Sequence, residues 1–155
     1  MSNQEVETPT ILVDQIREFF GIKEFYYDLA ATSENSKGIN YYDKEIDSLS
    51  IDWPCSPYLG SQWLWLNQPF RNLTKFIDKC LFERDRGCKI ITIWPISSDK
   101  NMLKVWETCR VGVVHGRVWP QVRGCMICQF ASIFEPSVFG LNWDRKRLTY
   151  AWGPK

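Results

Sequence analysis

Hydrophobic and polar positions along the chain divide it into alternating helices and strands. In ILVDQIREFF the apolar side chains fall at Ile11 or Leu12, Ile16, and Phe19 or Phe20, the spacing of one helical face. Pro9 suits the start of this helix and Gly21 its end. KEFYYDLAA predicts a short aromatic strand stopping at Asp28, and the polar stretch TSENSKGINYYDKEID predicts a loop or a short helix. SLSIDW reads as a short strand and PCSPYLGS as a turn, before the buried strand QWLWLNQPF with its polar end at Asn67. NLTKFIDKCLFERDRG spaces Leu73, Phe76 or Ile77, Cys80 and Leu81 as a helix, with Asn72 as cap and Gly87 as stop. CKIITIWPI, a continuous run with β-branched residues, predicts a strand covered on both faces. NMLKVWETC follows as a short helix, then VGVVHGRV and GCMICQFASIF as two more strands.

This order predicts one α/β domain over residues 1–155, a mixed, mostly parallel sheet flanked by helices. No repeat or linker divides it, and residues 136–155, with Phe139, Leu141, Trp143 and Trp152, are expected to form a C-terminal tail packed on the body. In such sheets a ligand sits beyond the carboxyl ends of the strands, so Asp28 and Asn67 are expected to share one crevice.

Composition narrows the class. The 155 residues are 45% hydrophobic and 24% charged, which disfavours both a disordered chain and a membrane protein. No apolar run approaches the roughly 20 residues that cross a bilayer, and Met1–Thr10 is polar, so a cytoplasmic protein is expected. A net charge of +1 gives no bulk attraction to nucleic acid, so any such binding needs a local basic patch. The six cysteines read as buried thiols, since a cytoplasmic chain of this size needs no staples. Cys125 and Cys128 form a CxxC near Cys109 and His115, but they lie in a strand-like run without paired ligand spacings, and no metal site is assigned. His115 reads as a strand-end residue. Most of the eight tryptophans belong to the core, with Trp53, Trp119 and Trp152 beside turns and open to a base or a partner.

The strand ends carry the candidate chemistry. The Asn67 side chain and the Gln68 carbonyl can accept hydrogen bonds from one planar amine while the Phe70 ring stacks on the base bearing it. A plain turn at Asn-Gln-Pro with Phe70 in the core fits the same residues. Asp28 reads either as a turn cap or as a carboxylate for the ammonium of a nucleoside-type cofactor, with Ala30 and Ala31 leaving room. The absence of GxGxxG disfavours a nicotinamide enzyme.

Five features recur in order: Thr8-Pro9 before the first helix; Asp28, Ala30, Ala31 and then Asn35; the turn Asn67-Gln68-Pro69-Phe70; Pro95 with Ser98-Asp99; and Gly116-Arg117. On these motifs, spanning Glu7 to Phe130, the chain resembles the phage-encoded DNA N6-adenine methyltransferases of the Dam type. The resemblance implies a Rossmann-like methyltransferase fold, S-adenosylmethionine as cofactor, and methylation of adenine in double-stranded DNA. It implies a catalytic turn of Asn67, Gln68, Pro69 and Phe70, and a cofactor site of Thr8, Pro9, Asp28, Ala30, Ala31 and Asn35. The acid for the cofactor's ribose is left between Asp47 and Asp52. Phosphate contacts are expected from Arg71, Lys75, Arg117, Arg123, Arg145 and Lys146, with Arg147 beside them. The resemblance further implies protection of phage DNA from restriction in the host cytoplasm. This chain departs from the family turn Asn-Pro-Pro-Tyr at Gln68 and Phe70. The Gln68 exchange opens an alternative: a catalytically degenerate protein that binds nucleic acid, cofactor or a host defence protein without turnover. Methylation of another planar amine is a third reading.

Overall fold

The computed structural model describes residues 7–55, 62–68, 72–96, 100–119, 124–144 and 146–153. Helix α1 (Thr10–Phe20) leads into β1 (Phe25–Asp28) and β2 (Gly38–Tyr41). β3 (Trp63–Leu66), α2 (Leu73–Asp85), β4 (Ile90–Pro95), α3 (Met102–Thr108) and β5 (Arg110–His115) follow. β6 (Cys125–Phe130), β7 (Ser137–Asp144) and β8 (Arg147–Trp152) complete a sheet of order β2-β1-β3-β4-β6-β5-β7-β8.

The helices form where their periodicity predicts. Leu12, Val13 and Ile16 are buried along α1, and Gly21 ends it in the left-handed region at φ 69°, where a residue without Cβ is unstrained. Asn72 stands at the N-cap of α2, but its side chain makes no capping bond. The sheet separates two apolar layers. α1 covers one, with Phe25, Trp65, Ile91, Ile127 and Phe139; α2 and α3 cover the other, with Leu66, Ile90, Trp94, Met126 and Phe130. β3, β4 and β6 are therefore apolar on both faces.

Several expectations are corrected. The sheet is mixed, as expected, but parallel and antiparallel pairing are nearly balanced: β2-β1-β3-β4 and β5-β7 pair in parallel, whereas β4-β6, β6-β5 and β7-β8 are antiparallel. GINY is strand β2 rather than loop or helix, because it pairs with β1; SLSIDW is not a strand. Residues 137–152 are not a tail laid on the body but the hairpin β7-β8, whose inward Phe139 and Leu141 join the α1-side core. Two of the six cysteines are not free thiols: Cys55 and Cys88 form a disulfide, while Cys80, Cys109, Cys125 and Cys128 are free and buried. Cys125 and Cys128 point to opposite faces of β6, one into each core layer, so the CxxC spacing cannot converge on a metal. Trp53 and Trp119 are also buried, and of the three turn-side tryptophans Trp152 alone is exposed.

The segment after β2 is fastened to α2 through a buried charge. Glu83, fully buried, pairs with Lys79 at 2.9 Å and with Arg86, and accepts the Trp53 backbone N–H at 3.3 Å. Lys79 also donates to the Ile51 carbonyl, and the Trp53 indole to that of Ser48. Removing one partner of a buried ion pair strands the others, so Glu83→Ala is expected to cost about 3–5 kcal/mol. The shift of the urea unfolding midpoint at unchanged slope checks this.

Candidate active site

β1 and β3 lie side by side and parallel, so the carboxyl ends of both strands meet at one edge of the sheet. The chain runs outward from β1 to β2 and returns to place β3 on the other side of β1. That is the switch point at which open α/β sheets leave a crevice. A cavity of about 750 Å³ lies there, lined by Thr8, Asp28, Ala30, Ala31, Asn35 and Asn67 among others.

A β-bulge aims the first strand end. Phe25 pairs with Trp63, yet Tyr27 pairs with Leu64 and Asp28 with Trp65, so Tyr26 is an extra residue. Strict alternation from Phe25 would send Asp28 to the α2 side. The bulge returns it to the face of Trp65, beneath α1. The Asn40 side chain of β2 donates to the Tyr26 carbonyl at 3.2 Å. Gly38 is required for this approach, since a Cβ there would stand 2.5 Å from the Asp28 nitrogen.

Asp28 is 3% exposed, and the loop that follows wraps it. Its carboxylate accepts the Ala30 N–H at 3.2 Å and the Lys37 N–H at 2.9 Å. Burial pushes its pKa up to about 6 despite these bonds and the nearby Lys37 ammonium, and Glu7 adds to the rise. Lys37 itself bridges Glu7 at 2.7 Å and the Thr10 hydroxyl at 3.1 Å. Asn35 lines the crevice while its side chain accepts the Thr32 N–H at 2.7 Å, holding the loop's shape.

The second strand end is held by side chains. Asn67 Nδ2 donates to the buried Thr8 hydroxyl at 2.8 Å, tying the segment before α1 to the end of β3. Gln68 is 1% exposed and does not line the crevice; its Oε1 accepts the Trp94 indole N–H at 2.7 Å. The expected polar group beside the base pocket is thus turned into the core.

The predicted residues divide accordingly. Thr8, Asp28, Ala30, Ala31, Asn35 and Asn67 come together, whereas Pro9 caps α1 outside the crevice. Asp52 is exposed and away from it; Asp47 and Asp43 line the wall, where the loop after β2 returns across β1. Lys75 is exposed on the first turn of α2, next to the lining residues Asn72 and Phe76. Arg117 follows β5, and Lys146 lies in the β7-β8 turn, both at the edge bearing Asn67. Pro69, Phe70, Arg71, Arg123 and Arg145 lie outside the described residues, as do Ser98 and Asp99. Sequence reading missed Lys37, Asp43 and Trp94; only the Asp43 position, after YY, carried any polar cue.

A folded pKa near 6 against 3.8 for the free side chain means that Asp28 holds a proton more tightly when folded. Its stabilising contribution is full below about pH 4 and is lost as pH rises through 6, at a cost of about 3 kcal/mol. Asp28→Asn keeps the shape but loses one acceptor, so it is expected to raise stability at pH 7.5 by about 1–2 kcal/mol. The gain should vanish at pH 4, which urea titrations at the two pH values will show.

No curated protein matches the chain. The family model described as DNA N-6-adenine-methyltransferase (Dam) matches residues 2–116, which include β1, the Asn67 turn and β4. That match takes in well over half of the 155 residues, and the chain belongs to the DNA N-6-adenine-methyltransferase (Dam) family.

Proposed function

We propose that the protein transfers a methyl group from S-adenosylmethionine to the exocyclic amine of adenine in double-stranded DNA. The observation that carries this reading is the meeting of Asp28 and Asn67 in one crevice at the β1-β3 switch point. The residues present suit the cofactor. The cavity is within the size range of small-molecule sites, and a buried carboxylate with two of its lone pairs engaged among the described residues has capacity for an ammonium. Glu7, Asp28, Asp43, Glu45 and Asp47 outnumber Lys37 and Lys44 along the wall, a balance that favours a cationic ligand. When bound, S-adenosylmethionine supplies the electrophilic methyl on its sulfonium.

Asn67 acts on the acceptor, and the catalytic turn implied by the family resemblance adds the Gln68 carbonyl, while the Gln68 side chain stays in the core. Donation from Asn67 Nδ2 to Thr8 fixes the plane of the amide, with Oδ1 as its accepting end. Both oxygens can draw the amine's N–H bonds toward the protein as positive charge develops on nitrogen. Pro69 restrains the backbone of Gln68 by its sequence alone. Lys75, Arg117 and Lys146, with Arg71, Arg123 and Arg145 in the intervening sequence, supply the local positive charge that a duplex needs. The burial of the Gln68 side chain supports enzymatic activity over a degenerate, binding-only role, because nothing polar is added to the crevice. A role in shielding phage DNA from restriction in the host cytoplasm fits this activity and rests on the resemblance alone. Among the described residues no helix is long and apolar enough to cross a membrane.

Labelled methyl from S-adenosylmethionine is expected on unmethylated DNA, and Asn67→Ala should lower the rate by about 10²-fold or more. Wild-type protein that leaves the DNA unlabelled while binding cofactor would refute the enzymatic reading. Cofactor binding needs ionised Asp28, so its Kd should rise about tenfold per pH unit below about pH 6 and stay flat above pH 7. Calorimetry across that range, with Asp28→Asn weak and insensitive to pH, checks the assignment.

A further inference from the structure

We propose that Trp94 is a positioning residue for the catalytic turn, acting through Gln68 in place of the ring that the family turn carries at that position. This inference rests on the methyltransferase reading and deepens it. Proline fixes φ by covalent geometry, whereas glutamine leaves it to rotate. Pro69 biases ψ of residue 68 but leaves its φ free, so a second restraint is needed to hold the carbonyl of residue 68 toward an amine.

The only neighbour that holds Gln68 by a hydrogen bond among the described contacts is Trp94. An indole N–H only donates, so the glutamine must present its oxygen to it, and the orientation of the amide follows from chemistry. The donor is rigid. Trp94 is fully buried in β4, between β3 and β6, and packs edge-on to Phe130 at 5.7 Å between ring centroids. Gln68 stands at the exit of β3, the strand next to β4, so a side chain anchored in the neighbouring strand clamps the backbone from which it springs. Gln68 Nε2 is buried with no hydrogen-bond partner among the described residues, so the hydrogen bond that the side chain makes there runs through its oxygen.

Trp94→Phe keeps an aromatic ring against Phe130 and removes the donor. The expected result is a fall in kcat of about 10–100-fold with the KM for S-adenosylmethionine unchanged, since the Asp28 wall is untouched. Adding Gln68→Pro to Trp94→Phe restores the fixed φ without an orphaned indole N–H, and should return kcat to within about threefold of wild type. A merely structural tryptophan would lower the unfolding midpoint without changing kcat of the folded enzyme, and Gln68→Pro would not rescue it. Unchanged kcat in Trp94→Phe, or absence of rescue, overturns the proposal. Hydrogen exchange of the 62–72 segment separates this proposal from the activity itself. Faster exchange in Trp94→Phe, reversed in the double variant, supports the clamp even if no wild-type turnover is seen. Exchange that does not change overturns it.

Discussion

The crevice depends on one extra residue in β1. Side chains alternate along a strand, so Phe25, facing the α1 layer, would leave Asp28 facing α2 if the ladder were regular. The bulge at Tyr26 changes that parity within four residues and sets Asp28 opposite Trp65. Only then do Asp28, Thr8 and Asn67 share the side covered by α1. The bulge is itself held from β2, by the Asn40 side chain on the Tyr26 carbonyl and by the bare Gly38 against the Asp28 backbone. A short edge strand that contributes little to the core thereby sets the geometry of the site.

What was legible in the sequence follows from how strongly burial writes a period. α1, α2 and β4 bury one or both faces against large layers, and their spacing stands out. β2 has its outer edge unpaired and alternates half-buried with exposed positions, so GINY resembles its polar surroundings. SLSIDW has a strand's composition, but Asp47 turns it: the Asp47 side chain accepts the Leu49 N–H, and its carbonyl the Ser50 N–H. The β7 pattern was available in Phe139 and Leu141; Gly140 between them obscured it, and that glycine exists because Trp152 lies where a Cβ would project. The bond between Cys55 and Cys88 had no local signal, since the two are 33 residues apart and meet only when the loop returns to the start of β4. At the site, Asp28 and Asn67 could be read as strand ends sharing one crevice, and the family motifs gave each an expected role. Neither route could reveal the bulge, which β2 holds, or tell that Asp47 lines the crevice and Asp52 does not, which follows from the path of a loop.

That loop connects stability to the site. Residues 43–49 line the crevice, and residues 48–55 are bound to α2 by Glu83 and Lys79, with the Trp53 indole bracing the loop on the Ser48 carbonyl and the disulfide at the end. The wall opposite Asp28 is therefore positioned by a buried charge cluster that is remote from the chemistry. Two cations and a backbone N–H surround the Glu83 carboxylate there. Asp28 is buried too, but its nearest cation, Lys37, is already engaged with Glu7. The two acids contrast in their surroundings: one is paired with two cations within the fold, and the other faces the crevice with two backbone N–H groups on its oxygens.

The same contrast applies at the other strand end. Gln68 spends one hydrogen bond on Trp94 and leaves its Nε2 without a partner among the described residues, while Asp28 carries a charge that its surroundings raise in energy. A sequence selected for stability alone would replace both, with an apolar side chain at Gln68 and an amide at Asp28. Their positions explain why the fold tolerates them. Each lies at the carboxyl end of a strand whose preceding residues are packed on both faces, so β1 and β3 absorb the local cost while the exposed edge keeps its polar groups. The packed centre of the sheet thus supplies the rigidity, and the carboxyl edge supplies unfinished electrostatics. A cationic cofactor and a planar amine are ligands of the kind that would finish them.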